Sequence, residues 1–391
     1  MKDNFDQQNS IDPVPGEKDS HGTNVAGVIA AQRNTSGTVG IAYEAKISGY
    51  KNGNAVIIAT LNKQVDLDVS NNSWGFDTPF TPLKDEVTAI ETAVKNGRGK
   101  LGTLFVWAGG NERESVNNFD PQLPTKDQRG HNVNSSNYEN SRYVIAVAAI
   151  DNQGKFASYS NPGAPLLVSA FGDNGSIATI DNIGNAGSNT DKTAGKNNFS
   201  DSDDHNGFNG TSSATPMVSG VVALILQANP KLGYRDVQEI LAYSARKNDP
   251  DRSWQNFTLE GVNGAVKYNA DTWTFNGAKN WNGGGLHVNH DYGFGLVDAT
   301  AAVRLAKTWQ LRSGTAKNEA ATTANEKFQL ANLTLPTSVD IPDNNPAGIN
   351  QTFKITQGIN IDKLELDLNI EHGQFQDLVV KLTSPDKTES K

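Results

Sequence analysis

Cysteine is absent from the 391 residues. That excludes disulfides, thiolate metal sites and a cysteine nucleophile, yet it leaves the compartment open, because exported chains also fold without disulfides. An excess of positive charge is missing too. Thirty-four basic side chains face 43 acidic ones, a net charge of −9, and no basic stretch follows a phosphate backbone, so nucleic acid is a poor candidate partner. The opening MKDNFDQQNSIDPVPG has neither a charged leader nor an apolar core, so no targeting segment is visible. No helix long and apolar enough to span a bilayer is expected, and the chain reads as soluble, without a membrane span.

What is present points to an α/β architecture. With 36% hydrophobic and 20% charged residues there is material for a large core, and the length admits two domains or one large domain with an appendage. Short β-rich apolar runs alternate with helical patterns, as in a parallel sheet with helices on both faces. Strands are predicted at 45–50 (AKISGY), 101–110 (LGTLFVWAGG) and 143–150 (YVIAVAAI), whose apolarity implies burial on both sides. Leu83, Val87, Ile90 and Val94 form one helical stripe that Gly97 ends. The first domain is drawn over residues 1–307, followed by a polar, aperiodic linker at 308–330. In 331–391 the period becomes two: Leu364, Leu366, Leu368 and Ile370 alternate with polar residues ahead of LVVKLTSP, the start of an all-β domain cut short after about two strands.

Two segments carry chemistry. Ser20-His21-Gly22-Thr23 opens a helix whose small residues Ala26, Gly27, Ala30 and Ala31 permit close packing, which would hold an imidazole rigidly as a general base. Gly210-Thr211-Ser212-Ser213-Ala214-Thr215-Pro216 leads into an apolar helix, so Ser212 sits where free N–H groups face a developing oxyanion. Pro216 is read as tolerable in the first turn, where its missing donor is not needed. Alone, His21 is more often a cap or core histidine, Ser212 an N-cap, and Asn111 of WAGGN a turn residue. Together they supply a base, a nucleophile and an oxyanion donor.

HGTNVAGVIAA, SWG at 73–75, WAGGN at 107–111, FASYSNPG at 156–163 and GTSSATP at 210–216, in this order, resemble the subtilisin-like serine proteases and more closely their kexin-like branch. FKITQGINIDKLELDLNIEHGQFQDLVVKLTSP resembles the opening of the P domain that follows the catalytic domain in that branch. The resemblance implies a serine endopeptidase: Ser212 attacks the scissile carbonyl, His21 shuttles the proton, and Asn111 stabilises the oxyanion. It implies that Ser73, Trp74 and Gly75 pair with an extended protein or peptide substrate and that Ala108, Gly109 and Gly110 line the primary pocket. Structural calcium is implied at Gln32, Asn34, Ser36 and Thr38, which offer the hard oxygens that the ion takes. A secreted, cell-surface or periplasmic location, with a pro-segment or chaperone as partner, is implied likewise.

One departure matters. The triad aspartate of the family lies roughly 30 to 40 residues before the histidine, whereas 20 residues precede His21. Asp3, Asp6, Asp12 and Asp19 read as loop acids, so the chain is expected to be truncated at both ends. Losing that aspartate costs about 3 × 10⁴ in kcat in subtilisin, so inactivity is expected. A noncatalytic binding protein on the same scaffold is the alternative reading. Asp77 and Glu112 would favour a basic side chain before the scissile bond, but Ser136 stands where the kexin-like branch has an acid, so the preference stays open. His287 and His290 have no acidic partner at metal-site spacing and read as surface histidines.

Overall fold

The computed structural model describes residues 4–6, 10, 19–35, 37–51, 53, 56–75, 83–113, 132–173, 177–182, 199–200, 208–251, 256–257, 268–269, 272–275, 286–311 and 315–318, together with 340–342, 348–353, 368, 370, 378–385 and 389–390. The elements in chain order are α1 (His21–Ala30), α2 (Ile57–Lys63), β1 (Val69–Asn72), α3 (Lys84–Lys100), β2 (Leu104–Ala108), β3 (Val144–Ile150), β4 (Leu166–Phe171), β5 (Thr179–Ile180), β6 (Phe199–Ser200), α4 (Thr211–Ala228), α5 (Tyr234–Ser244) and α6 (Ala299–Thr308). β1 to β4 form one parallel sheet in sequential order, the subtilisin-like α/β arrangement that the motifs imply.

β2 and β3 are buried at every residue, which accounts for their unbroken apolar sequences. Phe105, Val106, Trp107, Ile145 and Val147 share a core with Ile90 and Val94 of α3 and Val218, Val222 and Ile225 of α4. α4 crosses all four strands and also packs against α1 and α6. Its 18 residues are long and apolar enough to cross a membrane by length and composition, which overturns the expectation that no such helix exists. Twelve of them are buried inside the fold, so the apolarity is that of a helix lying on a sheet.

Several expectations are corrected. Residues 45–50 make isolated bridges, Ile47 to Phe5 among them, and form no strand, whereas β1 and β4 were not foreseen. The helical pattern of α3 is broken at Gly97, Arg98 and Gly99, as the stop at Gly97 predicts. The face it buries is rotated from the expected stripe: Ala89, Ile90, Ala93 and Val94 point inward, while Val87 is exposed. Leu364 and Leu366 lie outside the described residues, and Leu368 and Ile370 are exposed. In that region Leu382–Thr383 pairs antiparallel with Glu389–Ser390.

Candidate active site

The parallel register brings Asn72 beside Trp107 and Ala108 beside Val147. Segments 73–75 and 108–110 therefore leave the sheet side by side at the carboxyl ends of their strands, where open α/β sheets place their ligands. The start of α4 meets them there, the Gly110 N–H donating to Thr211 Oγ1 at 3.2 Å. Gly109 continues the ladder through its N–H to Val147 O at 2.9 Å. Gly110 turns at φ +95°, against the Asn161 amide, where a Cβ would have no room.

Ser212 is the second residue of α4, after Gly210 at φ +87°. The Asn111 side chain lies directly against this turn: Thr211 donates to Asn111 Oδ1 from its N–H at 2.8 Å and from its hydroxyl at 2.9 Å. A Cβ built on Gly210 would stand 3.4 Å from Asn111 Nδ2 and 3.6 Å from the Ser212 nitrogen. The Asn111 amide and the Ser212 nitrogen thus both border the same face of Gly210.

Pro216 is the sixth residue of α4, beyond the first turn where it was expected. Its missing N–H is the one that would serve the carbonyl of Ser212, four residues back. The Ser73 hydroxyl takes over, donating to Ser212 O at 3.0 Å. The Ser212 hydroxyl donates in return to Ser73 O at 3.3 Å, so Ser73 and Ser212 are reciprocally tied. Trp74 packs edge-on to Trp107 and Tyr138, with ring centroids 4.7 and 5.3 Å apart, and its carbonyl accepts from Trp107 Nε1 at 2.6 Å.

His21 begins α1 and touches the edge of the Phe208 ring, centroids 5.6 Å apart, two residues before Gly210. Among the described residues no hydrogen bond links it to Ser212. Burial lowers its pKa below the usual 6.5, and Asp19 opposes that shift. α1 is pinned to β5 by Asn24 Nδ2 donating to Ile180 O at 2.7 Å and Thr179 Oγ1 donating to Asn24 O at 2.5 Å. Gly27 allows this approach, since a Cβ there would strike Thr179 and Ile180. The small-residue stripe predicted close packing without indicating that β5 is the neighbour.

The loop from Ala31 to Gly40 is closed by the Gly40 N–H donating to Ala31 O at 2.9 Å, and Thr38 Oγ1 donates to Ala178 O at 3.4 Å. Ser36 and Asp77 lie outside the described residues. Among the described residues no cluster of three or more His, Asp or Glu side chains could hold a metal. His287 instead stands edge-on to Trp273, at 5.1 Å. Glu112 Oε2 accepts from the Asn111 N–H at 2.7 Å and from Asn161 Nδ2 at 2.9 Å, so this carboxylate braces the 110–113 loop.

Sequence reasoning missed Glu139. Its carboxylate is buried, with Oε1 3.6 Å from where a Gly75 Cβ would stand. Desolvation pushes its pKa up to about 7 against a hydrogen bond from Ser136, and Glu112 adds to the rise.

A family model described as Peptidase_S8, Subtilase family, matches residues 2–295. Curated relatives include proprotein convertase subtilisin/kexin type 5 of Branchiostoma californiense, 31% identical over 322 residues, covering 77% of this chain and 16% of that protein. The Aeromonas extracellular serine protease of Aeromonas sobria is 29% identical over 425 residues, covering 97% of this chain and 64% of the relative. The chain thus spans less than two thirds of either relative. Among solved structures, the serine protease of Aeromonas sobria in complex with the chaperone ORF2 aligns with a TM-score of 0.65 at 25% identity, covering 79% of this chain and 57% of that one.

Proposed function

Because this chain belongs to the subtilase family, whose members are serine proteases, we propose that it is the catalytic part of a serine endopeptidase with Ser212 as nucleophile, His21 as base and Asn111 as oxyanion donor. The observation that supports the reading is the meeting of Asn111, Ser73 and Ser212 at the carboxyl ends of β1 and β2, where Asn111 Oδ1 accepts from Thr211 and the Ser212 hydroxyl donates to Ser73 O.

In the reaction Ser212 Oγ bonds to the scissile carbonyl carbon while its proton passes to His21. The carbonyl oxygen takes up the electron pair and is met by Asn111 Nδ2 and the Ser212 N–H. Collapse breaks the C–N bond, and His21 returns the proton to the leaving amine. Water then hydrolyses the acyl-serine by the same steps. Before attack the Ser212 hydroxyl must turn from Ser73 O toward His21, a rotation about χ1. Segments 73–75 and 108–110 offer strand edges to an extended peptide. We assign no residue of this chain to the acid behind His21; Asp19 is the charge that acts on it among the described residues.

The Ala31–Gly40 loop is proposed as a calcium site through Gln32, Asn34, Ser36 and Thr38; the ion would supply a structural crosslink and takes no part in the chemistry. An extracellular location and assistance by a chaperone follow from the names of the Aeromonas relative and its complex, and are proposals for this chain. A fluorophosphonate probe tests the main reading. Labelling of the folded chain that is lost in Ser212→Ala supports it, whereas a folded chain that takes no label at Ser212 is a binding protein on a protease scaffold.

A further inference from the structure

We propose that Tyr159 is a positioning residue that sets the Ser212 turn against the Asn111 loop, its phenol holding Gly210 and its main chain holding Arg113. The inference rests on the roles given above to Ser212 and Asn111. Gly210, the residue at which the chain turns into α4, donates its N–H to Gly172 O at 2.9 Å and to Tyr159 Oη at 3.0 Å. The phenol donates in turn to Gly172 O at 2.5 Å, closing a ring of three polar groups. Burial raises the Tyr159 pKa, so the phenol keeps its proton and remains a donor.

The same residue reaches the oxyanion loop. The Arg113 N–H donates to Tyr159 O at 3.1 Å, and Arg113 Nε donates to Ser160 O at 2.5 Å. Asn161 continues the latch: its N–H donates to Gly110 O at 3.1 Å, and its side chain accepts from the Glu112 N–H at 2.9 Å. Both flanks of Asn111 are thus fastened to 159–161, and the phenol of that run fastens the turn before Ser212.

A directional hold is needed here because the contact is made by two glycines. A Cβ on Gly172 would meet Gly210 O at 2.8 Å, so there is no room for side chains to fix the turn by packing. Oxyanion donors must be placed within about 0.5 Å to act. A hydroxyl bonded to both strands of the crossing supplies what packing cannot.

Tyr159→Phe removes one oxygen and keeps the ring. The expected result is a kcat lowered about tenfold or more with KM within about twofold, and a matching loss of affinity for a peptide aldehyde, whose hemiacetal oxygen occupies the oxyanion site. Combined with Asn111→Ala the loss should be less than additive, because each variant spoils the same alignment. A purely structural role would instead lower the melting temperature and leave the two losses additive, which overturns the proposal. So does an unchanged kcat, or a raised KM with kcat intact. Should the variant not fold, the wild-type phenol decides: a Tyr159 hydroxyl proton that exchanges with water as fast as that of an exposed tyrosine refutes the clamp, and a slowly exchanging one supports it. A wild-type chain unlabelled at Ser212 overturns the protease reading and this proposal together. A labelled one whose Tyr159→Phe variant keeps its kcat overturns this proposal alone.

Discussion

His21 is under two opposing influences, burial that favours its neutral form and the Asp19 carboxylate that favours the charged one, and burial is the larger. A general base must be neutral to accept a proton, so the balance leaves it competent at neutral pH. The sign fixes the profile: kcat/KM should rise with pH along a limb centred below 6.5, as the imidazolium is lost. Asp19→Asn removes the influence that raises the pKa and should carry that limb to still lower pH. A limb that moves up, or does not move, would show that Asp19 does not act on the ring. At this scale the sequence was legible where a motif marks a local turn: Ser212 stands at the start of α4, as GTSSATP implies, and His21 opens α1. It was silent on Glu139, because a carboxylate's burial beside Gly75 depends on a turn that no spacing encodes.

The start of α4 shows how a helix accommodates a local flaw. Pro216 withdraws the N–H that Ser212 O would accept, and the Ser73 hydroxyl fills the gap at 3.0 Å. Ser73→Ala should therefore leave that carbonyl without a protein donor and cost about 1–3 kcal/mol in urea unfolding. Pro216→Ala restores the helical donor, so in that background the Ser73→Ala penalty should shrink; equal penalties in both backgrounds would refute the substitution of one donor for another. Elements were legible to the degree that their burial was symmetrical. β2 and β3, apolar throughout because both faces are covered, appear within their predicted ranges. β1, with three of the four residues of VSNN polar, and β4 escaped notice, since their burial alternates or is partial. The rotation of α3 has the same origin: alanines at 89 and 93 carry little weight in a hydrophobic pattern, yet they are what the neighbouring layer admits.

For the whole molecule, the joint between α1 and the rest of the fold is the Ala31–Gly40 loop. The chain leaves α1 at Ala31 and returns at once: the Gly40, Ile41 and Ala42 N–H groups donate to Ala31 O, Val28 O and Ile29 O at 2.9, 3.0 and 2.7 Å. Ile41 then lies against Gly220 of α4, where a Cβ would come within 2.7 Å of it. A cation bound by the loop would therefore stabilise the seating of α1, and with it His21, on α4. Since the ion would bind the folded chain and not the unfolded one, saturation at about a hundred times Kd adds roughly 2.7 kcal/mol. Chelation should lower the melting temperature by several degrees, at about 2–4 °C per kcal/mol for a domain of this class. Asn34→Ala should already melt at the lower temperature and no longer respond to chelator. A melt indifferent to chelator in the wild-type chain would remove calcium from the loop and leave the backbone returns alone to hold α1 in place.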